Sequence, residues 1–501
     1  MAETKRHGKI QEPMNPLVSK TILLADLDVE LPRIYQVYLD INKAHVLMLA
    51  KQGIIPTENA KKILACTQEM AAMGEKPTFE FDPNLEEIYF NMEKYLVDHV
   101  GLDAGGMQHT ARSRNDLGAT AVRMKTRKDY LAFGKEFNKM RRAILALARK
   151  NVQTVMSGYT HLQPSEPITF AHYCSAILNG LNRDFVRYKT VWSSVNNNPL
   201  GAGSMGSTTF PIDREYTTKL LGFDTVMNNS IDCVASVDFA MEIPAVLAIM
   251  ASTIGRMCTD FYHWVSPEFG YIEIGDSVAS CSSIMPQKKN PITLEWLRTQ
   301  AALIESQFVG AWSAIKNSPY TLTMDTFTGT PSYLLPVFTQ MTLLVQIMAI
   351  TVDTIKTKPE RMIEDANGNF CTATELANSI VRKDGMSFRA AHDIVANVVG
   401  YMDQHKKKAD EIDASVVNAI AVEHFGKPTS LTDEDVRNAL DPKRVALLKK
   451  VVGGPAPEEV TRQLDLIEKT IDADDAFIDE LAAKQKAAKD ALEKAVNDFI
   501  A

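Results

Sequence analysis

The chain has 501 residues, 45% hydrophobic and 23% charged, with 54 Lys+Arg against 62 Asp+Glu for a net charge of −8. That apolar content excludes intrinsic disorder for the bulk of the chain, and an acidic balance without a long basic run argues against a nucleic-acid binder. None of the 22 prolines lies between Pro83 and Pro164 or between Pro359 and Pro428. A proline inside a helix costs about 3 kcal/mol, so these gaps are where long helices can run.

After a polar, extended start over residues 1–20, apolar residues recur at helical spacing from 26 to 73, with a stop at Gly53 and a new start near Pro56. A loop over 74–84 precedes a helix over 86–100, which breaks at 101–106. The spacing then predicts a helix over 118–155 with Lys and Arg on one side, a loop over 158–167 and a helix over 168–195. A Gly/Ser/Asn-rich connector spans 196–211. The stretch 230–266 reads as one apolar helix kinked at Pro244. A Gly/Ser-rich loop over 267–291 leads to two more apolar helices, 292–314 and 332–357. From Lys358 the pattern turns polar and amphipathic. The tail 461–501 carries 10 acidic and 6 basic residues and reads as a solvated amphipathic helix.

The predicted fold is all-α. It has an N-terminal helical domain (1–115), a central bundle (116–368) with a signature loop at 275–291, and a C-terminal helical domain with its charged tail (369–501). Helices apolar nearly all round need partners to cover them. The six cysteines form no CxxC pair and no metal-ligand spacing. Apolar runs such as 343–352 stop short of the ~18–20 residues of a membrane span. Reduced thiols, no membrane, no metal and a cytoplasmic address are the expectations.

Three polar segments interrupt the helices: HTARSRND (109–116), GYTHLQP (158–164) and SCSSIMPQKKNP (280–291). The first holds two arginines among Ser, Thr and Asn, a set suited to a carboxylate or a phosphate, or simply to a solvated helix start. The second offers His161, whose proton can move near neutral pH, or a plain loop histidine. In the third, a Ser hydroxyl close to Lys288 and Lys289 and to a helix N-terminus has its anionic form favoured. As a bare capping loop the same segment needs no chemistry.

In this order and separation the three segments resemble the signature regions of the fumarase/aspartase superfamily, and within it the argininosuccinate lyase branch. The text between them agrees: PLGAG (199–203), TFPIDRE (209–215), EFGYIE (268–273) and FRAAH (388–392). The resemblance implies a homotetramer whose four chains pool their central helices, with each active site drawing the three regions from three subunits. It implies elimination of an amine from a succinyl skeleton to release fumarate, with no cofactor. By matching positions, Ser282 is the general base, and Lys288 and Asn290 stabilise the developing aci-carboxylate. Ser113, Arg114, Asn115, Thr160, Gln163 and Ser283 hold the carboxylates, and His161, oriented by Glu295, settles the second carboxylate or protonates the leaving nitrogen.

The departures lie on the leaving-amine side. The branch's tail-binding Tyr, Gln and Lys fall on Leu322, Phe327 and Thr330, its acidic residue after KKNP on Ile292, and an Asp of the first helix on Leu31. EDIH before the first motif reads Glu-Glu-Ile-Tyr over 86–89. An unpaired buried charge costs several kcal/mol, so an amine pocket of Ile292, Leu322 and Phe327 predicts a leaving amine less cationic or more apolar than arginine. In this the chain is similar to the ethylenediamine-disuccinate lyase type. A true argininosuccinate lyase with a diverged pocket, and a non-catalytic crystallin-like protein on the same scaffold, are the alternatives.

Overall fold

A single 37-residue helix, Arg114–Lys150, forms the axis of the fold. At ~1.5 Å per residue it is about 55 Å long. The computed structural model describes residues 14–23, 27–82, 85 and 87–501. Of the extended start expected over 1–20, residues 1–13 lie outside these residues, as do Asp26 and Glu86 as helix starts; the rest is not extended, because Pro16–Val18 and Ser19–Leu23 are helical turns that begin at Asn15, whose side chain accepts from Leu17 N.

On the axis pack the helices Phe170–Val195, Leu334–Asp353 and Pro457–Ile500, and on these in turn pack Phe239–Trp264 and Ile292–Ile315. Their shared core includes Phe133, Phe137, Phe185, Leu247, Met341 and Leu464. A second apolar cluster joins the helices Leu27–Lys51, Thr57–Ala72 and Ile88–Val100 to Leu117 and Ala121 at the start of the axis. A third lies within residues 376–439 and holds Leu376, Ile394, Val417 and Val436. The architecture is all-α. Among the described residues the strands form only two-stranded ribbons.

Four further expectations change. Residues 158–167 are not a loop but most of an antiparallel hairpin, Val155–Thr160 against Gln163–Thr169. The preceding helix therefore ends at Lys150, not 155. The stretch 230–266 is two helices, Ser230–Ala235 and Phe239–Trp264, and Pro244 lies inside the second. The break falls at Ser236, whose Oγ accepts from buried Arg123 at 3.2 Å, and Asp238 caps the new helix. Finally, two segments, Phe239–Trp264 and Asp325–Asp353, are long and apolar enough to cross a membrane by length and composition. In this fold both carry residues of the bundle core.

The charged tail is one 44-residue helix, Pro457–Ile500. Its apolar stripe enters the bundle core through Val460, Leu464, Ile467, Ile471 and Ile478, then the N-terminal cluster through Leu492 and Val496. Its acids meet the basic side of the axial helix. Arg141 reaches Asp474 at 2.8 Å, Arg142 reaches Asp472 and Asp475, and Arg149 reaches Asp465 and Glu468. All six cysteines are free thiols, and only Cys281 is exposed.

Candidate active site

The first motif builds the start of the axial helix. Ser113 Oγ accepts from Asn115 N at 3.3 Å, and Ser113 N donates to Asp116 Oδ1 at 3.0 Å, a reciprocal capping box. The other Asp116 oxygen accepts from Gly201 N at 2.9 Å and Gly203 N at 3.0 Å, which fastens the 199–203 turn against the helix start. Both glycines have positive φ, and a Cβ at Gly203 would lie 2.8 Å from Ser207 O. Burial raises the Asp116 carboxyl above its usual range, although these three N–H donors pull it down. Asn115 Nδ2 donates to Ser204 O at 2.8 Å. Arg114 Nη1 donates to Glu87 at 2.6 Å and lies over the Phe90 ring. At the start of the motif, His109 Nδ1 sits 2.7 Å from Tyr89 Oη. Burial, then the charges of Arg112 and Arg114, hold this imidazole down at about 4.

Leu322 and Phe327 join this end of the bundle. Leu322 packs on the small cluster of Ala202, Cys233 and Val234, and Phe327 lies against Gly118. Phe327 also lines a cavity of about 710 Å³ whose wall includes Ile34, Tyr38, Glu87, Ile88 and Leu335.

The second motif is the tip of the hairpin. Thr160 pairs with Gln163, so His161 and Leu162 form a two-residue turn with φ of 53° and 56°. Two consecutive non-glycine residues in the left-handed region cost roughly 1–2 kcal/mol each. Such strain is concentrated at functional sites. The side chains of Thr160, His161 and Gln163 are exposed and make no hydrogen bond to the described residues.

The third motif is a narrow ribbon. Ser280 pairs with Asn290 and Cys281 with Lys289, and Ser282 N donates to Lys288 O at 3.3 Å. Ser282 Oγ accepts two backbone N–H groups, from Ile284 at 3.3 Å and Met285 at 3.0 Å. Lys289 anchors the ribbon to Asp276 at 2.6 Å and Glu273 at 3.2 Å. Ser283 and Lys288 are exposed, and Asn290 is half-buried. Glu295 accepts from Tyr262 Oη at 3.4 Å and makes no hydrogen bond to His161 within the chain.

One chain thus brings together only halves of the expected constellation. Ser113–Asn115, Leu322 and Phe327 lie at the start of the axial helix. The hairpin follows its other end, about 55 Å away by helix rise. The third ribbon lies on the hairpin side, where Tyr271, shortly before it, hydrogen-bonds Tyr159. Ile292 is therefore separated from Leu322 and Phe327 by the 24-residue helix Ile292–Ile315, about 36 Å long. Among the described residues no group of three or more His, Cys, Asp or Glu could hold a metal ion. Asp116 and Glu87 were not among the candidate site residues. A Ser with an Asp three residues on is a capping-box signal that points to Asp116, whereas nothing local announces that Glu87 meets Arg114.

Residues 27–305 match a family described as lyase, and residues 370–446 one described as argininosuccinate lyase C-terminal. Argininosuccinate lyase 1 of Shouchella clausii is 40% identical over 474 residues, 95% of each chain. Argininosuccinate lyase of Methanocaldococcus jannaschii is 36% identical over 487 residues, 97% of this chain and 98% of that one. The structure of EDDS lyase in complex with formate superposes with a TM-score of 0.86 at 30% identity, over 100% of this chain and 99% of that one. A fumarate lyase from Mesorhizobium sp. BNC1, at 18% identity and a TM-score of 0.68 over 88% of this chain and 98% of that one, shares the fold. The protein is a carbon–nitrogen lyase. It belongs to the argininosuccinate lyase branch of the fumarase/aspartase superfamily.

Proposed function

We propose that the protein cleaves an N-substituted L-aspartate by β-elimination, releasing fumarate and an amine, and that the reaction also runs toward amine addition. Ser282 Oγ takes the Cβ proton. The two N–H groups already aimed at that oxygen, from Ile284 and Met285, carry this reading, because they stabilise negative charge where an alkoxide base needs it. Lys288 and Asn290 offset the charge of the aci-carboxylate. Ser113, Arg114, Asn115, Thr160, Gln163 and Ser283 hold the two carboxylates, with Arg114 exchanging Glu87 for substrate. His161 protonates the leaving nitrogen or settles the second carboxylate.

The assembly is a homotetramer in the cytoplasm, with sites completed between chains. The separation of the half-sites supports this. So do the outward apolar residues Val186, Ile249, Leu303, Val309, Trp312 and Ile350 on the bundle helices, each 44–55% exposed in the single chain. The leaving amine is more apolar than arginine, because Phe327 and Leu322 present no hydrogen-bonding group to it.

Glu87 favours a second reading. A carboxylate on the cavity wall is a partner for a guanidinium, as a true argininosuccinate lyase requires. Incubation with argininosuccinate, followed by the ultraviolet absorbance of fumarate, tests the choice. Slow turnover there, together with mass-detected adducts of fumarate with apolar amines, supports the first reading. Rapid turnover of argininosuccinate replaces it with the second.

A further inference from the structure

A half-buried polar hub joins the second and third motifs. Tyr159, next to Thr160, brings its hydroxyl to 2.5 Å from that of Tyr271. Tyr271 donates to one oxygen of Asp365 through a short hydrogen bond, and Tyr159, whose proton goes to Tyr271 Oη, lies 3.3 Å from the same oxygen. Asn369 Nδ2 donates to the same oxygen at 3.3 Å and to Ser157 Oγ, on the same hairpin strand, at 2.9 Å. Three elements distant in sequence meet here: the hairpin, the segment entering the third ribbon, and the helix Pro359–Gly368.

The hub is rigid on the ribbon side. Tyr271 is fully buried; its N–H donates to Trp264 O at 3.0 Å, and its carbonyl accepts from Lys358 N at 2.8 Å. Ile272 and Glu273, which follow, pair with Thr357 and Lys356. Glu273 then receives Lys289, the residue between Lys288 and Asn290. Asp365 is thus connected through Tyr159 to Thr160 and His161, and through Tyr271 and Glu273 to Lys288.

Packing alone does not call for this arrangement. Tyr159 and Tyr271 pack edge-on or tilted against Phe269 and Trp264, where phenylalanine rings would fill the same space without a carboxylate to desolvate. What two phenols on one carboxylate add over apolar packing is a fixed direction.

We propose that Asp365 is a positioning residue for catalysis, fixing through Tyr159 and Tyr271 both the hairpin that carries Thr160 and His161 into one site of the assembly and the ribbon that carries Ser282 and Lys288 into another. The inference rests on the reading of these groups as reacting residues. Ser113–Asn115, at the other end of the bundle, keep their geometry when the hub is lost, whereas Thr160, Gln163 and Ser283 move with the reacting groups. The effect therefore falls on turnover more than on substrate capture.

The test uses the full-length chain with Asp365→Asn, Tyr159→Phe, Tyr271→Phe and the double Tyr variant, assayed for amine addition to fumarate. Misplacing a reacting group by ~1 Å costs up to about 100-fold, so a fall in kcat of about tenfold or more is expected for Asp365→Asn and Tyr271→Phe, with KM for fumarate changing by a smaller factor than kcat. The double Tyr variant should fall no further than Asp365→Asn, because all three act through one oxygen. Met348→Ala, a cavity in the bundle core, supplies a loss of Tm without a loss of kcat. A kcat for Asp365→Asn within twofold of wild type, or a fall that Met348→Ala reproduces at equal loss of Tm, overturns the proposal. Should Asp365→Asn not fold, Tyr271→Phe, which keeps the ring, carries the same two criteria. If the wild-type chain adds no amine to fumarate and releases none from N-substituted aspartates, the functional reading fails, and amide exchange then decides about the hub. Faster exchange in Tyr271→Phe over both 155–169 and 280–290 supports it, and a change confined to one segment overturns it.

Discussion

Gly118 and Phe327 touch so closely that a β-carbon on the glycine would lie 2.4 Å from Phe327 Cε2. Glycine inside a helix costs about 1 kcal/mol relative to alanine, so this one is explained by the ring it admits. Gly118→Ala should push Phe327 into the adjoining cavity and destabilise the chain by about 1–3 kcal/mol of overpacking, partly offset by helix propensity. Urea denaturation measures the first effect. The range of amines added to fumarate measures the second, which should narrow toward smaller amines.

Replacing the ring tests the same wall from the other side. Phe327→Ala enlarges the cavity of about 710 Å³, which Gly118 also lines, and should shift preference toward bulkier amines. Competition between a small and a branched amine for fumarate, read by mass spectrometry, checks this. An unchanged product ratio would remove Phe327 from the amine pocket.

Ser282→Ala removes the oxygen that accepts two N–H groups. A general base contributes about 10²–10⁴-fold, so kcat should fall by that factor. The ribbon pairing of Cys281 with Lys289 does not depend on the hydroxyl. Light scattering should therefore report the wild-type mass. Retained activity would move the base role to another residue.

Arg141 and Asp474 are 0% and 2% exposed, so their 2.8 Å pair is fully desolvated. Asp474→Ala leaves a buried guanidinium without its carboxylate and also strips Lys189 of a partner at 2.7 Å. Breaking one side of a buried pair costs about 3–5 kcal/mol. The loss should appear in the urea midpoint, with proteolysis beginning in the 457–500 helix.

His109 is neutral in the folded chain down to about pH 4, whereas an unfolded histidine takes its proton near 6.5. Below about pH 6.5 the unfolded state binds more protons. Stability from this group is therefore full above that value and is lost as pH falls toward 4. His45, buried and held well below its usual range, acts in the same direction. Tm measured from pH 7.5 to 4.5 should fall, and His109→Gln should flatten part of the slope.

Much of this was legible along the chain. The helices Leu27–Lys51, Thr57–Ala72 and Ile292–Ile315 lie close to their expected bounds, because Gly53, Pro56 and Pro291 are local signals that act within one turn. The hairpin was not legible. Its polar tip reads as a loop, and its register is set by partners such as Thr169 opposite Val155. Nor was the break at Ser236, which depends on Arg123, more than a hundred residues earlier.

By itself the sequence determined the helical class, the three motifs and the family they identify, since periodicity, caps and motif text are all local. Only the tertiary structure decided that the acidic tail lies on the basic side of the axial helix. It alone put Arg114 on Glu87 and separated the half-sites by the length of that helix. Burial and charge pairing act between residues hundreds of positions apart, and no local pattern encodes which surfaces will meet.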